Sequence, residues 1–493
     1  MISEYAWIFI VGSIGAFGFG WGTGANDVAN AFGTSVGSKT ITLKQAVVLA
    51  SIFEFGGALI LGRVSTDTIA GGISNIDTFT SNPMVYAYGM MCNLLIGTLW
   101  LAIASYKGWN VSSTHSIIGG IIGFSLVYGG KDGVSWVVPD PSGKSFPPYK
   151  GVIPIILSWF ISPILTGLAS ALIFVSTRQL ILRRENAYRM SYYVLPLMVL
   201  ITTWINIYFV FTKGAKKTLQ LNDDWTDAKA AWITTIIASG ISAISGFIGI
   251  PLLKRHIETK CTAEEAGVTI QEIEAPPVST QASIFEKTKK LLMNGMEQDI
   301  HKVVEEDPLI ASIHENAELF DPKVESVFKY LQLMSAICVI FAHGAGEVGY
   351  MAGPLSSIWN IVNTNTIQSS TTAPIWIIII GASGLVVGLA TYGYRVTEAV
   401  GTRLSKITAT RGFAAELATS LVIMVASQSG LPTSSSQCIT GGIIGVGAVE
   451  GLKGVNWRFF ATTVLSWINT MFFIGLGVGA VFAQGIYAPH RSS

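Results

Sequence analysis

The octapeptide Gly24-Ala25-Asn26-Asp27-Val28-Ala29-Asn30-Ala31 lies in an otherwise apolar stretch. It returns in altered form as Gly344-Ala345-Gly346-Glu347-Val348-Gly349-Tyr350-Met351. Two further segments repeat in the same order. Val111-Ser112-Ser113-Thr114-His115-Ser116 with Gly119-Gly120 is matched by Thr433-Ser434-Ser435-Ser436-Gln437-Cys438 with Gly441-Gly442. Gly133-Val134-Ser135-Trp136 is matched by Gly454-Val455-Asn456-Trp457. The offset stays near ~320 residues, which marks an internal duplication. Polar, breaker-rich stretches at corresponding places of two apolar halves are the pattern of a secondary transporter.

Composition narrows the class. Of 493 residues, 50% are hydrophobic and 12% charged, against about 25% charged in soluble domains. The net charge of +1 gives no basic bias towards nucleic acid. The four cysteines, Cys92, Cys261, Cys338 and Cys438, match neither a zinc spacing nor a disulfide framework. No nucleotide loop or nucleophile–base arrangement points to an enzyme.

Apolar runs long enough to cross a bilayer of ~30 Å lie near 5–25, 43–63, 84–107, 152–176, 191–212, 230–253, 327–345, 373–394, 413–430 and 456–485. Two shorter Gly-rich runs, near 115–130 and 437–451, follow the hydroxyl clusters and read as short or broken helices. The prediction is an all-α integral membrane protein of about twelve crossings. The repeated unit recurs after an odd number of crossings, so the two copies are predicted to be inverted. The division is 1–176 for the first repeat, 177–253 for two additional helices, 254–326 for a polar segment and 327–493 for the second repeat. Within the polar segment, 281–306 reads as an amphipathic helix and the stretch around Thr262–Thr280 as linker. The segment is predicted to regulate or traffic the protein rather than to transport.

Basic residues set the orientation. Arg178, Arg183, Arg184 and Arg189 crowd one loop, Lys254 and Arg255 open the polar segment, and Arg395, Arg403, Lys406 and Arg411 crowd another. All three fall on one side by parity and are placed in the cytoplasm, with both termini outside. Lys213, Lys216, Lys217 and Lys229 flank a loop placed outside, against the rule.

The first motif puts two amides and a carboxylate into one turn at the end of an apolar span. Ionisable groups at membrane depth mark ion or substrate pathways, and Asp and Asn oxygens suit a hard cation. The same residues also cap helices; their recurrence in the second half favours function. The hydroxyl clusters stand where a helix would begin, and helix N-termini attract anions. Neither motif core contains Lys or Arg, so a bound cation must offset the carboxylate before an oxyanion can enter. The residues therefore point to cation-coupled anion symport. Glu54 and Glu416 are lone acids in apolar surroundings. His115 reads first as a hydrogen-bonding group and second as a protonating one, and His343 is open in the same way. Trp136 and Trp457 read as interfacial anchors.

The motif at 24–38, Ala50-Ser51-Ile52-Phe53-Glu54, the run at 111–120 and the segment at 416–437 resemble the signature regions of the PiT family of cation–phosphate symporters. The resemblance spans both membrane halves but not the central segment. It implies inverted repeats, a homodimer in a lipid membrane, and inorganic phosphate bound between the repeats with Na⁺ close by. On that basis the chain is a sodium–phosphate importer, most naturally of the plasma membrane. Asp27, Asn30, Ser112, Ser113, Thr114, Glu347, Ser434, Ser435 and Ser436 would bind substrate. Asn26, Asp27, Asn30, Glu54, Glu347, Glu416 and Gln437 would hold the cation. The second motif departs from the family pattern, with Gly346 for Asn, Glu347 for Asp and Tyr350 for Asn. Proton coupling through Glu54, Glu347 or His115, or a phosphate sensor with little transport, are the alternatives.

Overall fold

Hydropathy dictates most of the architecture. A computed structural model describes residues 4–139, 148–215, 225–265, 295–368, 373–428 and 433–488. Ten helices are long and apolar enough to span a membrane: α1 Ala6–Gly37, α2 Leu43–Leu61, α3 Pro83–Lys107, α5 Val152–Leu182, α6 Ala187–Thr212, α7 Asp227–Thr259, α8 Pro322–Thr364, α9 Ile375–Arg403, α10 Ala409–Ala426 and α12 Trp457–Tyr487. Two shorter helices, α4 Ser113–Gly129 and α11 Ser435–Ala448, complete the set. At 1.5 Å per residue these two reach only about 26 and 21 Å, less than the bilayer core. The protein is thus an all-α integral membrane protein.

Local chemistry explains where the short helices begin. Ser112 and Ser434 are extended N-cap residues whose hydroxyls accept from the backbone N–H of His115 and Gln437, both at 3.4 Å. Both helices therefore start at the hydroxyl clusters, as the sequence predicts. The Gly-Val-x-Trp repeats lock the turns that follow them. The indole N–H of Trp136 donates to the Lys131 carbonyl at 2.9 Å, and that of Trp457 to the Leu452 carbonyl at 2.8 Å.

The motif helices differ from expectation. Glycine-rich polar sequence reads as the end of a span, yet α1 runs on for 32 residues and α8 for 43. The glycines serve close approach instead. A Cβ at Gly24 would lie 1.9 Å from the Leu385 carbonyl oxygen on α9, and one at Gly344 would lie 2.1 Å from the Glu54 carbonyl oxygen on α2. α1 carries a π-helical turn at Gly24–Val28, and α2 another at Ala50–Glu54. Such turns are frequent at functional sites.

The contacts between the halves are reciprocal. α1 packs on α9, and α8 on α2. α4 packs on α12, where a Cβ at Gly123 would meet the Gly475 carbonyl at 2.2 Å. α11 packs on α5, where a Cβ at Gly445 would meet the Gly167 carbonyl at 2.1 Å. Each half thus supplies a cradle for the other half's short helix. α6 and α7 lie outside this exchange. α7 holds to α6 through Ser242 on the Pro196 carbonyl at 2.7 Å and Trp204 on Thr235 at 3.0 Å.

The Arg-rich loops meet on one face. Arg183 makes a two-pronged bond to Glu318 at 2.9 and 2.8 Å. Arg178 lies 3.6 Å from the same carboxylate. Arg411, fully buried, pairs with Glu450 and donates to the Glu318 carbonyl at 2.7 Å. Arg183 holds the Glu318 carboxyl below its usual range. Residues 295–321 dock here rather than standing free. His301 bonds the Val36 carbonyl at 3.3 Å, His314 the Thr402 carbonyl at 2.8 Å, and Lys44 pairs with Glu297 at 3.1 Å. Of the predicted 281–306 helix, 281–294 lies outside the described residues, and helices form at Lys302–Glu306 and Pro308–Glu315. Most of the Thr262–Thr280 linker, Lys216, Lys217 and Pro432 also lie outside them.

Candidate functional site

The two motif helices and the starts of α4 and α11 converge. Asp27 is 2% exposed and Glu347 3%, so both carboxylates are withdrawn from solvent. They share one residue. The backbone N–H of Ser113 donates to Asp27 Oδ2 at 2.9 Å, while its hydroxyl donates to Glu347 Oε2 at 2.6 Å. Ser435 donates to Glu347 Oε1 at 2.9 Å. Glu347 thus takes one hydroxyl from each half. Ser112 and Ser434, equivalent residues of the two copies, touch at 2.9 Å, and Ser434 reaches Ser436 at 3.0 Å.

The amides divide their tasks. Asn26 donates to the Trp109 carbonyl at 2.8 Å and accepts from the Val111 N–H at 3.1 Å. Both of its polar atoms hold the approach to α4, so its first role is to position the hydroxyl cluster. Asn30 accepts from Asn110 at 3.5 Å, and its amide nitrogen has no partner. Asn110 also donates to Thr440 at 3.3 Å, which ties α11 in. Sequence reasoning overlooked Asn110, although it directly precedes the Val-Ser-Ser-Thr run. Tyr350, counted as a lost amide, has its hydroxyl accepting from Thr114 at 3.0 Å.

Glu54 reaches the site through a histidine. His343 Nδ1 lies 2.8 Å from Glu54 Oε1, and its Nε2 lies 3.8 Å from Glu347 Oε1. Glu54 Oε2 and Asp27 Oδ1 are buried without a hydrogen-bonding partner. A carboxylate oxygen carries lone pairs only, so two buried acceptors await a donor or a cation. His115 and Gln437, again equivalent positions, face each other at 3.4 Å.

Glu416 stands apart in a hydroxyl cage. It accepts from Thr34 and Ser35 at 2.7 Å each, from Gln332 at 3.1 Å, and from Ser335. These donors come from α1 in the first half and α8 in the second. Four donors already satisfy this carboxylate, so its geometry is that of a clasp between α1, α8 and α10. No sequence signal linked these four donors to Glu416, because they lie hundreds of residues away or on another helix.

What the cluster can do follows from its charge. Three buried carboxylates, Asp27, Glu54 and Glu347, gather around one imidazole. Among the described residues the buried Lys/Arg side chain is Arg411, and it is engaged with Glu450. Hydroxyls and helix N-termini offer donors to an oxyanion, while the carboxylates ask for a cation.

Residues 23–476 match the phosphate transporter family. The chain is 27% identical to the phosphate-repressible phosphate permease of Neurospora crassa, with 99% of each chain covered. It is 31% identical to the chloroplastic inorganic phosphate transporter 2-1 of Arabidopsis thaliana, over 95% of this chain and 70% of the relative. A solved structure described as the sodium-dependent phosphate transporter shares the fold with a TM-score of 0.72 and 26% identity, over 98% of this chain and 100% of that one. With its helices, its paired hydroxyl clusters and its buried carboxylates accounted for, the chain belongs to the phosphate transporter family, as a membrane transporter and not an enzyme.

Proposed function

We propose that the protein imports inorganic phosphate together with sodium ions. One observation carries this reading: Asp27, Glu54 and Glu347 are buried together, with no Lys or Arg among the described residues paired to them. A phosphate anion entering such a site meets repulsion that a co-bound cation relieves, so each ion raises the affinity for the other. The unpartnered Asp27 Oδ1 and Glu54 Oε2 supply hard oxygen for Na⁺. Ser112, Ser113, Thr114, Ser434, Ser435 and Ser436, with the N-termini of α4 and α11, supply donors for phosphate oxygens. The sodium named in the related structure's description supports the same coupling.

The reciprocal packing of α4 on α12 and α11 on α5, together with the self-contact of Ser112 with Ser434, supports inverted repeats. The site then lies between units that rock against each other. The meeting of the Arg-rich loops with residues 295–321 on one face supports a cytoplasmic location for that face. A homodimer in the plasma membrane completes the proposal.

Uptake of labelled phosphate into proteoliposomes tests it. An inward Na⁺ gradient at fixed pH drives accumulation, and choline in its place does not. The placement of His343 between Glu54 and Glu347 favours one second reading, proton coupling. Uptake driven by a pH gradient in choline would establish that reading and overturn sodium coupling. Saturable phosphate binding without net uptake would make the protein a sensor.

A further inference from the structure

A cavity of about 800 Å³ lies between α4, α5, α11 and α12, behind the hydroxyl clusters. Its outer wall includes Phe160, Leu168 and Phe472, all exposed on the apolar flanks of α5 and α12. These helices span the membrane, so the mouth faces lipid. The lining contains no Asp, Glu, Lys or Arg.

Its inner wall is polar in four places. His115, Trp159, Gln437 and Trp467 all line it and are each 3–4% exposed. Each carries an atom without a partner: His115 Nδ1, the two indole N–H groups, and Gln437 Oε1. The amide nitrogen of Gln437 can only donate, so His115 Nε2 accepts from it and the ring proton sits on Nδ1. The unmet set is three donors and one acceptor. Turning the amide round leaves the set unchanged, because the unmet amide nitrogen then donates and Nδ1 accepts. His115 is held by stacking on Trp159 at 3.7 Å. His115 and Gln437 are equivalent positions, and the two indoles each end a Leu-Ser-Trp segment, 157–159 in one half and 465–467 in the other, so the unmet groups come from both halves.

A ligand that meets them must carry lone pairs and one donor, no net charge, and an apolar body. A hydroxyl donates once and accepts twice, so it meets the acceptor and two of the three donors. An ester or ketone offers nothing to the lone acceptor, and a charged headgroup finds no counter-ion. The seat is also deep: Trp159 lies about 10 Å along α5 from its start, and Trp467 about 15 Å along α12. A zwitterionic headgroup does not reach that depth, whereas a small hydroxyl does. We infer that this cavity binds a neutral lipid alcohol from the bilayer, with its hydroxyl seated among Trp159, Trp467, His115 and Gln437. The occupant sits three residues behind Ser112 and Ser434, at the seam between the halves.

Photolabelling of the full chain in nanodiscs tests this without reference to transport. Two probes, a diazirine-bearing sterol and a diazirine-bearing diacylglycerol, distinguish the sources of the hydroxyl. One of them labels peptides within 156–171 and 464–472. Its untagged parent competes, and the methyl ether of that parent competes at least about fivefold less well, the value of one hydrogen bond. Trp159→Phe with Trp467→Phe keeps both rings and removes both indole donors, lowering labelling by a similar factor or more. Leu168→Trp blocks the mouth without touching the polar wall and lowers it as well. Equal competition by the methyl ether, or labelling unchanged in both variants, overturns the proposal. So does disulfide formation between two copies of a Phe160→Cys variant, which would make this face a contact with a second chain.

Discussion

The two copies of the motif solve the same problem with different chemistry. In the first, a π-helical turn presents Asp27 beside two amides, and Asn26 clamps the backbone that leads into α4. In the second, the helix stays α-helical, the position of the first amide is Gly346, and no atom lies within 4 Å of a Cβ built there. Glu347 compensates with one more methylene, reaching hydroxyls on both α4 and α11. The first copy thus binds backbone and keeps an oxygen free; the second binds side chains and keeps none. The difference teaches that degeneration of a repeat need not dissolve its site, because a longer acid can take over a connecting role while giving up a ligand.

The comparison breaks most readily at Asp27. Asp27→Asn removes the charge at nearly constant shape and forfeits a charge-assisted bond of about 2–3 kcal/mol, so sodium-driven uptake falls about a hundredfold in correctly folded protein. Near-normal uptake by that variant would mean that the first copy is not the cation side. Glu347→Asp is next. Shortening the acid releases Ser113 and Ser435, and uptake falls roughly tenfold, about one charged hydrogen bond. Equal uptake would show that its extra reach is dispensable.

Restoring the second copy sharpens the contrast. The triple change Gly346→Asn, Glu347→Asp and Tyr350→Asn returns oxygen ligands, and Gly346 has room for a side chain. Half-maximal uptake then needs about fivefold less sodium, the gain of one oxygen contact worth ~1 kcal/mol. An unchanged sodium titration in a folded, active triple variant counts against a cation site in this half. The smallest effect belongs to Tyr350→Phe, which removes the hydroxyl that meets Thr114 and lowers uptake about threefold. A loss larger than that of Glu347→Asp would make the phenol, not the acid, the centre of the second copy.

Much of this was legible from residues alone. The spans were, because lipid demands long apolar helices, and the short helices were, because serine caps announce them. The continuity of α1 and α8 was not. Gly24 and Gly344 look like breakers in sequence, and only their neighbours on α9 and α2 reveal them as contact points. Asp27, Glu347 and the serines stand out in sequence because they recur, and the fold brings them together. The positioning bonds of Asn26 were not legible, because its partners, the backbone at Trp109 and Val111, leave no trace in its own neighbourhood. The hydroxyl cage of Glu416 was illegible for the same reason, its donors being scattered over α1 and α8. The docking of residues 295–321 escaped notice because it rests on a few polar contacts, such as Arg183 with Glu318, that composition cannot pair.

The contact between Ser112 and Ser434 has a further consequence. A hydrogen bond has a direction and a two-fold axis has none, so if the halves are related by such an axis, one proton breaks their equivalence. Two arrangements exist, with either serine donating, and the pair passes between them when both hydroxyls rotate about their Cβ–Oγ bonds. In one, the lone pair left free belongs to the first half; in the other, to the second. If the halves exchange shapes as the site turns from one side of the membrane to the other, the bond reverses with them, and the direction of this single bond records which side is open.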